Sequence, residues 1–218
     1  MKTTNKTDWT SYYHKKKSFF STYTQRYTMD MICRYFDYSM KGVSNVKVVE
    51  LGGGNSCFAE TFCEQNEVER YDIIDNNEYA VELFGKKKFM SRGRGYVLNL
   101  TQKIQPEEMY DFVYSIGLIE HFTVDEREKV LKNHFEYCKD GGFVLISFPT
   151  PTLKYRICRK FMELLHVWQF HDETPLLLED IQNELNQYGS IILTDLNKKL
   201  FLTQRVVLVK KNGREENV

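Results

Sequence analysis

Residues 48–56 read Val48-Val49-Glu50-Leu51-Gly52-Gly53-Gly54-Asn55-Ser56, a pattern typical of a buried strand that runs into a glycine turn. The two valines suit a sheet that is covered on both faces. Because glycine has no Cβ atom, the turn can bend sharply and approach a ligand closely. We expect a helix to begin near Asn55 or Ser56 and to direct its free N–H groups into the turn.

A second predicted strand, residues 70–75, follows and ends in the carboxylate of Asp75. An acidic residue about 20 positions after the glycine turn commonly holds the ribose hydroxyls in nucleotide-binding α/β folds. One carboxylate can accept hydrogen bonds from both hydroxyls. The two strands therefore predict a site for a cofactor that contains adenosine, with Asn76 beside the adenine.

The glycine turn also indicates which cofactor it holds. The dinucleotide fingerprint G-x-G-x-x-G needs a third glycine, and Cys57 stands at that position. Glu50-x-Gly52-x-Gly54 instead resembles motif I, E-x-G-x-G, of the class I S-adenosylmethionine-dependent methyltransferases. This cofactor carries an ammonium group and no phosphate, so the carboxylate of Glu50 suits it, whereas a pyrophosphate would be repelled.

Two later segments extend the resemblance. Residues 110–122, which include Glu120-His121, are similar to the fourth strand of this family and the segment after it. Asp140-Gly141-Gly142 and the apolar residues that follow are similar to its glycine turn and fifth strand. The order and spacing of these motifs fit the family over residues 46–150.

The predicted fold is a doubly wound α/β domain, because strands alternate with helices along the chain. The resemblance implies a mostly parallel, seven-stranded sheet with a C-terminal antiparallel hairpin and helices on both faces. We expect residues 1–40 to form an N-terminal helical cap over the cofactor cleft, with a helix over 25–40, and residues 41–218 to form the methyltransferase domain. A helix packed on the sheet edge is the alternative for the N-terminal residues. A chain of 218 residues suits one globular domain.

Ligands of open α/β sheets bind beyond the carboxyl ends of the strands. The resemblance therefore implies a set of cofactor residues at that edge: Glu50, Gly52, Gly53 and Gly54 near the amino-acid part, Asp75 at the ribose, Asn76, Asn99 and Leu100 at the adenine, and Ser115, Ile116 and Gly117 in the middle of the cleft. Asn99 stands where many family members have an aspartate, and an amide oxygen can also accept a hydrogen bond. For Glu50, accepting hydrogen bonds from loop backbone is the alternative role.

Methyl transfer requires alignment of the acceptor and, for a hydroxyl or ammonium acceptor, a group that takes up a proton. His121 directly follows the predicted fourth strand and is the first candidate for this base. His171 is the second, because residues 169–175 resemble a loop of small-molecule members of the family. A structural role is the alternative for both histidines.

We expect the acceptor pocket to form from the N-terminal cap and residues 152–172, with these residues in contact: Tyr13, Arg26, Tyr155, Arg156 and Trp168. Arginine can bind a carboxylate or phosphate, which favours a small acceptor with an anionic group. A solvated position on a helix surface is the alternative for each arginine. The chain has 30 Lys and Arg residues and 30 Asp and Glu residues, and this balance argues against a nucleic-acid substrate.

The sequence has no apolar run with the length of a signal peptide or of a membrane-spanning helix. Its five cysteines lack the spacing of a zinc site. We therefore expect a cytoplasmic monomer or homodimer with no bound metal and no membrane partner.

These patterns favour an enzyme that transfers the methyl group of S-adenosylmethionine to an oxygen or nitrogen of a small metabolite and releases S-adenosylhomocysteine. A catalytically inactive binding subunit with the same fold is one alternative. A protein or RNA methyltransferase is another, although no Asn-Pro-Pro-Tyr motif follows the fourth strand. A nicotinamide-dependent oxidoreductase would need the third glycine and a second catalytic domain.

Overall fold

The computed structural model describes residues 6–14, 19–199 and 201–213. Its strands are β1 (Val46–Leu51), β2 (Val68–Asp75), β3 (Gly95–Val97), β4 (Tyr110–Ile116), β5 (Cys138–Pro149), β6 (Gly189–Asn197) and β7 (Gln204–Lys211). Its α-helices are α1 (Trp9–His14), α2 (Phe19–Ser39), α3 (Ala59–Cys63), α4 (Glu78–Gly85), α5 (Val124–Tyr137), α6 (Leu153–Leu164) and α7 (Gln182–Tyr188). Short 3-10 turns lie at Met90–Arg92, Ile119–His121 and Leu178–Asp180.

All seven strands belong to one sheet, in the order β3-β2-β1-β4-β5-β7-β6. The first five pair in parallel, while β7 runs antiparallel to both β5 and β6. This topology confirms the predicted mostly parallel sheet with an antiparallel C-terminal pair. After β3 the chain returns to the other side of β1, so the carboxyl ends of β1 and β4 border the crevice where such sheets bind ligands.

The sheet has a hydrophobic core on each face, because successive side chains of a strand point in opposite directions. Val48 packs in the first core with Ile32 and Phe36 of α2. Val49 packs in the second core with Leu131 of α5. Both faces are covered, which explains why the apolar residues of β1 include the adjacent pair Val48 and Val49, whose side chains point to opposite faces.

Helix α3 begins later than its sequence suggests. We expected a helix from Asn55 or Ser56, but α3 starts at Ala59. The reason is that Ser56 Oγ accepts hydrogen bonds from the backbone N–H groups of Phe58 and Ala59, at 3.2 Å each. These two N–H groups are therefore already bonded within the turn, whereas the sequence suggested that they would be free.

Gly93 and Gly95 predict a third strand near residues 95–100, but β3 ends at Val97. The Leu98 N–H still donates to the backbone oxygen of Asp75, at 3.0 Å. The chain then turns, because the side-chain oxygen of Asn99 accepts from the Thr101 N–H at 3.0 Å. Such Asx turns compete with the strand ladder for backbone groups.

Helix α2 is longer at its N-terminal end than the predicted helix over 25–40. It is held by apolar residues on one face, among them Met31, Ile32 and Phe36, which are buried against the sheet. Within the described ranges, none of the helices combines the length and apolar character needed to cross a bilayer.

Candidate active site

The glycine turn after β1 has a backbone that requires glycine at two positions. Gly52 has a φ of 69° and Gly54 a φ of 48°, both in the left-handed region that side chains disfavour. The Gly52 N–H donates to the Ile74 oxygen of β2 at 2.7 Å, which ties the turn to the neighbouring strand. A Cβ atom on Gly52 would lie 2.6 Å from the side chain of Leu118. The turn is therefore packed tightly from the β4 side.

Helix α1 lies across the carboxyl edge of the sheet and covers this turn. A Cβ atom on Gly54 would overlap the hydroxyl oxygen of Tyr13. Burial, and then the charge of Asp75, raises the pKa of Tyr13. The Asn77 side-chain amide donates to Thr10 Oγ1 at 3.0 Å, which joins α1 to the start of α4. Tyr13, predicted to contact the acceptor, thus lies over the glycine turn itself.

Asp75 ends β2 beside the glycine turn. Its Oδ1 accepts a hydrogen bond from the Asn77 N–H at 2.8 Å. Burial raises the pKa of Asp75, although hydrogen bonds from the backbone of Asn77, Gly54 and Asn76 oppose this shift. Asn77 is also the N-cap of α4, where its side chain accepts from the Ala80 N–H at 2.9 Å. The carboxylate is therefore held in place by the turn that starts the helix, and Asn76 is exposed next to it.

Glu50 lies under the turn in a cluster of hydroxyl groups. Its side chain is buried, with a relative exposure of 4%, and Tyr71 donates its hydroxyl to the carboxylate. Tyr71 also bonds to the hydroxyl of Tyr114 and to Ser56 Oγ, the latter at 3.0 Å. Burial raises the pKa of Glu50 to about 7, and hydrogen bonds from Ser56, Tyr71 and Tyr114 oppose this. Side-chain hydroxyls, and not the loop backbone given as the alternative, therefore hold this carboxylate, and contact with a cofactor ammonium stays a prediction.

Asn99 and Leu100, the two residues after β3 that were assigned to the adenine, make other contacts within the protein. Asn99 is exposed, and its Oδ1 already accepts from the N–H and the hydroxyl of Thr101, at 3.0 and 2.8 Å. Leu100 is buried in the second core, where its backbone oxygen accepts from Asn133 at 2.8 Å. These contacts argue against both assignments. Leu98, which the sequence analysis did not single out, is exposed directly beside Asp75 and offers apolar surface there.

The residues at the end of β4 that were assigned to the cofactor can contact it only through their backbone, because the side chains of Ser115 and Ile116 pack elsewhere. Ser115 is buried and its Oγ bonds to Nε2 of His134 at 2.8 Å. Ile116 packs against the first core. Gly117 has a φ of 66°, and its N–H donates to the Ser147 oxygen at 2.9 Å. The strand therefore turns sharply at Gly117, just before the segment that carries His121.

His121 is oriented by a carboxylate from a distant part of the chain. Its Nδ1 lies 3.0 Å from Oδ1 of Asp172, so the other ring nitrogen is left to act on a ligand. The Thr7 N–H donates to Asp172 at 3.1 Å. Trp9 and Phe170 pack against the imidazole, with ring centroids 5.0 and 6.0 Å away. Burial lowers the pKa of His121 despite the bond to Asp172, so the ring is neutral near neutral pH.

The second candidate base, His171, is not part of this cluster. Its side chain is exposed, whereas the next residue, Asp172, turns inward and bonds to His121. The prediction that places His171 at the acceptor is therefore not supported by its position. Asp172 is a residue that sequence reasoning missed.

Two more acidic residues lie beside His121. Glu120 is buried, and its Oε2 has no hydrogen-bond partner within residues 6–14, 19–199 and 201–213. Burial, followed by the charges of Glu173 and Asp172, raises the pKa of Glu120 well above its usual range. Glu173 accepts a hydrogen bond from the hydroxyl of Tyr155. Glu120, His121 and Glu173 each present one potential ligand atom within 4.8 Å of the others, so these three can hold a cation. The absence of a metal stays a prediction.

A family model described as a methyltransferase domain matches residues 49–144. Over these residues, which make up less than half of the chain, the sequence is similar to a methyltransferase domain. The matched residues run from the end of β1 to β5 and include the glycine turn, Asp75 and His121. A search of curated proteins found no matching sequence.

Solved structures resemble the fold of this chain over most of its length. The magnesium protoporphyrin IX methyltransferase of Synechocystis PCC 6803, solved with bound SAH, is 16% identical with a TM-score of 0.72, over 94% of this chain and 93% of that one. The N-methyltransferase NodS of Bradyrhizobium japonicum WM9 is 11% identical with a TM-score of 0.63, over 85% and 87%. The cyclase SpnF is 9% identical with a TM-score of 0.64, over 84% and 82%. At these identities the likeness shows the fold alone.

The residues predicted to line the acceptor pocket are dispersed. Tyr155 is buried, and Arg159 stacks on the ring of Trp168 at 4.9 Å. Trp168 is also buried and donates its ring N–H to the Phe170 oxygen at 2.8 Å. Tyr155 and Trp168 therefore support the loop around Glu173 and are not exposed walls.

The two predicted arginines lie on the surface of the protein. Arg26 is exposed on α2. Arg156 is exposed on α6, and its Nε donates to the Pro151 oxygen at 3.1 Å. The aromatic side chains that do surround His121 are Trp9 and Phe170.

Proposed function

We propose that this chain is an S-adenosylmethionine-dependent methyltransferase that acts on an oxygen or nitrogen of a small metabolite. The observation that carries the proposal is that the glycine turn, Asp75 and His121 lie at the same edge of the sheet. There the left-handed glycine turn meets Asp75, and His121 follows the neighbouring strand with Asp172 bonded to its ring. The magnesium protoporphyrin IX methyltransferase and NodS, both solved with SAH, support the choice of cofactor.

The residues of the turn fit the cofactor. Gly52 and Gly54 carry no Cβ atom, so their backbone can approach the amino-acid part closely once the side chains of Leu118 and Tyr13, which fill the space beside them, move. Asp75 keeps acceptor capacity beyond its bond to Asn77, and a carboxylate can bind both ribose hydroxyls. Tyr13 contacts Gly54 at the same place, so α1 must shift when the amino-acid part lies on the turn.

The chemistry asked of the protein is modest. The bound cofactor supplies a methyl group on a sulfonium, which is already activated for transfer. The chain must align the acceptor at about 3–3.5 Å from that methyl group and exclude water. The rings of Trp9 and Phe170 pack beside His121 and exclude water from that side. Neutral His121 can take the proton of the acceptor at its free ring nitrogen, and Asp172 stabilises the imidazolium that results.

The finer parts of the proposal concern the acceptor and the protein's setting. A small acceptor is supported by the magnesium protoporphyrin IX methyltransferase, whose name gives a small molecule as its substrate. An anionic group on the acceptor is part of the proposal that the two predicted arginines do not support, because Arg26 and Arg156 lie on the surface. A cytoplasmic location and a monomer or homodimer complete the proposal.

The test of catalysis is a screen of metabolites for methyl transfer, followed by a comparison of two histidine variants. We expect His121→Ala to lower turnover by about a hundredfold or more, with SAH affinity nearly unchanged. The matched control is His171→Ala, which removes an exposed imidazole outside the cluster and should leave turnover close to normal. Equal losses in both variants, or no loss in His121→Ala, would contradict the assignment of the base.

A catalytically inactive binding subunit is the second candidate. The dispersed positions of the residues predicted to line the acceptor pocket favour it, because Tyr155 and Trp168 are buried and Arg156 is exposed on the surface. The cyclase SpnF also has this fold without the name of a methyltransferase. Because a cofactor site can persist without a competent acceptor site, this candidate predicts that the wild-type chain binds SAH but shows no turnover with any acceptor.

A further inference from the structure

Helix α6 carries a row of apolar side chains that face solvent. The exposed apolar residues of α6 and the turn after it are Leu153, Ile157, Phe161, Leu164, Leu165 and Val167, with relative exposures between 50% and 75%. The first four recur at intervals of four, four and three residues, which places them on one face of the helix. We call these four residues the α6 stripe. A helix of a globular protein normally buries its apolar face, so this arrangement calls for a partner.

The helix is attached to the protein by its other face. Tyr155 is buried on the side away from the α6 stripe, and its hydroxyl donates to Glu173. Arg159 donates to the backbone oxygen of Glu173 at 3.1 Å and stacks on Trp168. These contacts fix the rotation of α6, so the stripe is held outward by the fold.

Cationic side chains border the α6 stripe on both sides. At 100° per residue, Arg156 and Lys160 lie along one side of it and Lys154 along the other, and all three are exposed. The single acidic residue of α6, Glu163, is already paired with Arg159 at 2.9 Å. The face around the stripe is therefore positively charged, although the chain as a whole is neutral.

We propose that α6 binds the surface of an anionic membrane, with the α6 stripe among the acyl chains and the bordering cations at the headgroups. An apolar face flanked by Lys and Arg is the pattern of helices that lie in the membrane interface. Long cationic side chains can extend along apolar surface and keep their charge in water, and anionic headgroups attract them. The absence of a long apolar run argues against a helix that spans a membrane. It does not argue against a helix that lies in the membrane interface.

A second copy of the chain fits this surface less well than lipid does. In a two-fold dimer the same patch faces itself, so the cations beside one α6 stripe would meet equivalent cations. Like charges brought together at an interface cost free energy. Glu163 cannot offset them, because Arg159 engages it within the same helix. An anionic surface compensates all three exposed cations at once.

The proposal is tested with the full chain and lipid vesicles by co-sedimentation. The vesicles are phosphatidylcholine alone, or phosphatidylcholine with about one third phosphatidylglycerol. We expect binding at least about tenfold tighter to the anionic vesicles, weakened by about 0.5 M salt. The double variant Phe161→Ser/Leu164→Ser should lose about tenfold or more of this affinity. Its matched control is Val124→Ser/Tyr38→Ser, because both residues are exposed apolar side chains on other helices.

A second pair of variants tests the charge. Lys154→Glu/Lys160→Glu should weaken binding to anionic vesicles far more than Lys129→Glu/Lys132→Glu, which changes two exposed lysines of α5. Circular dichroism verifies that each variant is folded. Equal vesicle binding by the stripe variant and its control would overturn the proposal. So would a wild-type dimer that binds no vesicles and that the stripe variant dissociates, because a second copy would then cover the helix.

Discussion

Replacing Glu50 by glutamine should change how the stability of the protein depends on pH. In the folded protein, burial raises the pKa of Glu50 from 4.5 to about 7. The unfolded chain therefore releases this proton at a lower pH than the folded chain does. The stabilising contribution is fully present below pH 4.5 and is lost as the pH rises through about 7. At about 1.4 kcal/mol for each pKa unit, the loss amounts to roughly 3 kcal/mol.

The assay is urea unfolding of the wild type and of Glu50→Gln across this pH range. Glutamine keeps the size of the side chain and an oxygen that accepts from Tyr71, but it cannot ionise. The free energy of unfolding of the wild type, relative to the variant, should fall by roughly 3 kcal/mol between pH 4.5 and about 8. Glu82→Gln is the control, because Glu82 is an exposed residue of α4. Its difference curve should be nearly flat.

The cluster around Glu50 supplies a second check. The Tyr71 hydroxyl is among the hydrogen bonds that lower the pKa of Glu50. Tyr71→Phe should therefore move the loss of stability to higher pH. A flat difference between wild type and Glu50→Gln would refute the reasoning, because it would mean that the buried carboxylate is ionised throughout.

Three further predictions address the cofactor site and the acidic cluster. Asp75→Ala should weaken SAH binding about tenfold to a hundredfold in calorimetry, because a charge-assisted hydrogen bond contributes roughly 1.5–3 kcal/mol; unchanged affinity in a folded variant would contradict the ribose assignment. Gly54→Ala should lower the free energy of unfolding by about 1 kcal/mol or more, because Gly54 has a positive φ and the added methyl group would overlap Tyr13. Gly85→Ala is the control and should be tolerated, because the space around Gly85 is open. Chelation should leave turnover unchanged, because burial raises the pKa of Glu120, which disfavours the carboxylate form that a metal needs, and Glu173 already accepts a hydrogen bond; loss of turnover that magnesium restores would show this wrong.

The strands of the sheet could be predicted from the sequence because the signals for strands and turns are local. The apolar runs at β1, β2, β4 and β5 and the glycines between the elements indicate strands and turns without knowledge of the fold. The same is true of Asp75, whose position follows from the end of a strand. The start of α3 and the end of β3 were wrong, since Ser56 and Asn99 bond to nearby backbone and compete with regular structure.

The candidate base could not be resolved from sequence, because its partner is 51 residues away. His171 and Asp172 are neighbours, and only the path of the loop decides which of them turns inward. The contact of Tyr13 with Gly54 likewise depends on how α1 crosses the sheet edge. For Glu50, the strand pattern predicts burial but does not reveal that Tyr71 and Tyr114 bring hydroxyl groups to the same face.

The central claim, that the glycine turn and Asp75 hold S-adenosylmethionine, is tested most directly by calorimetric titration of the wild-type chain. Titration with SAH avoids turnover and needs no knowledge of the acceptor. The account predicts saturable binding of one SAH per chain and no measurable binding of NAD under the same conditions. Binding of NAD without binding of SAH would contradict it.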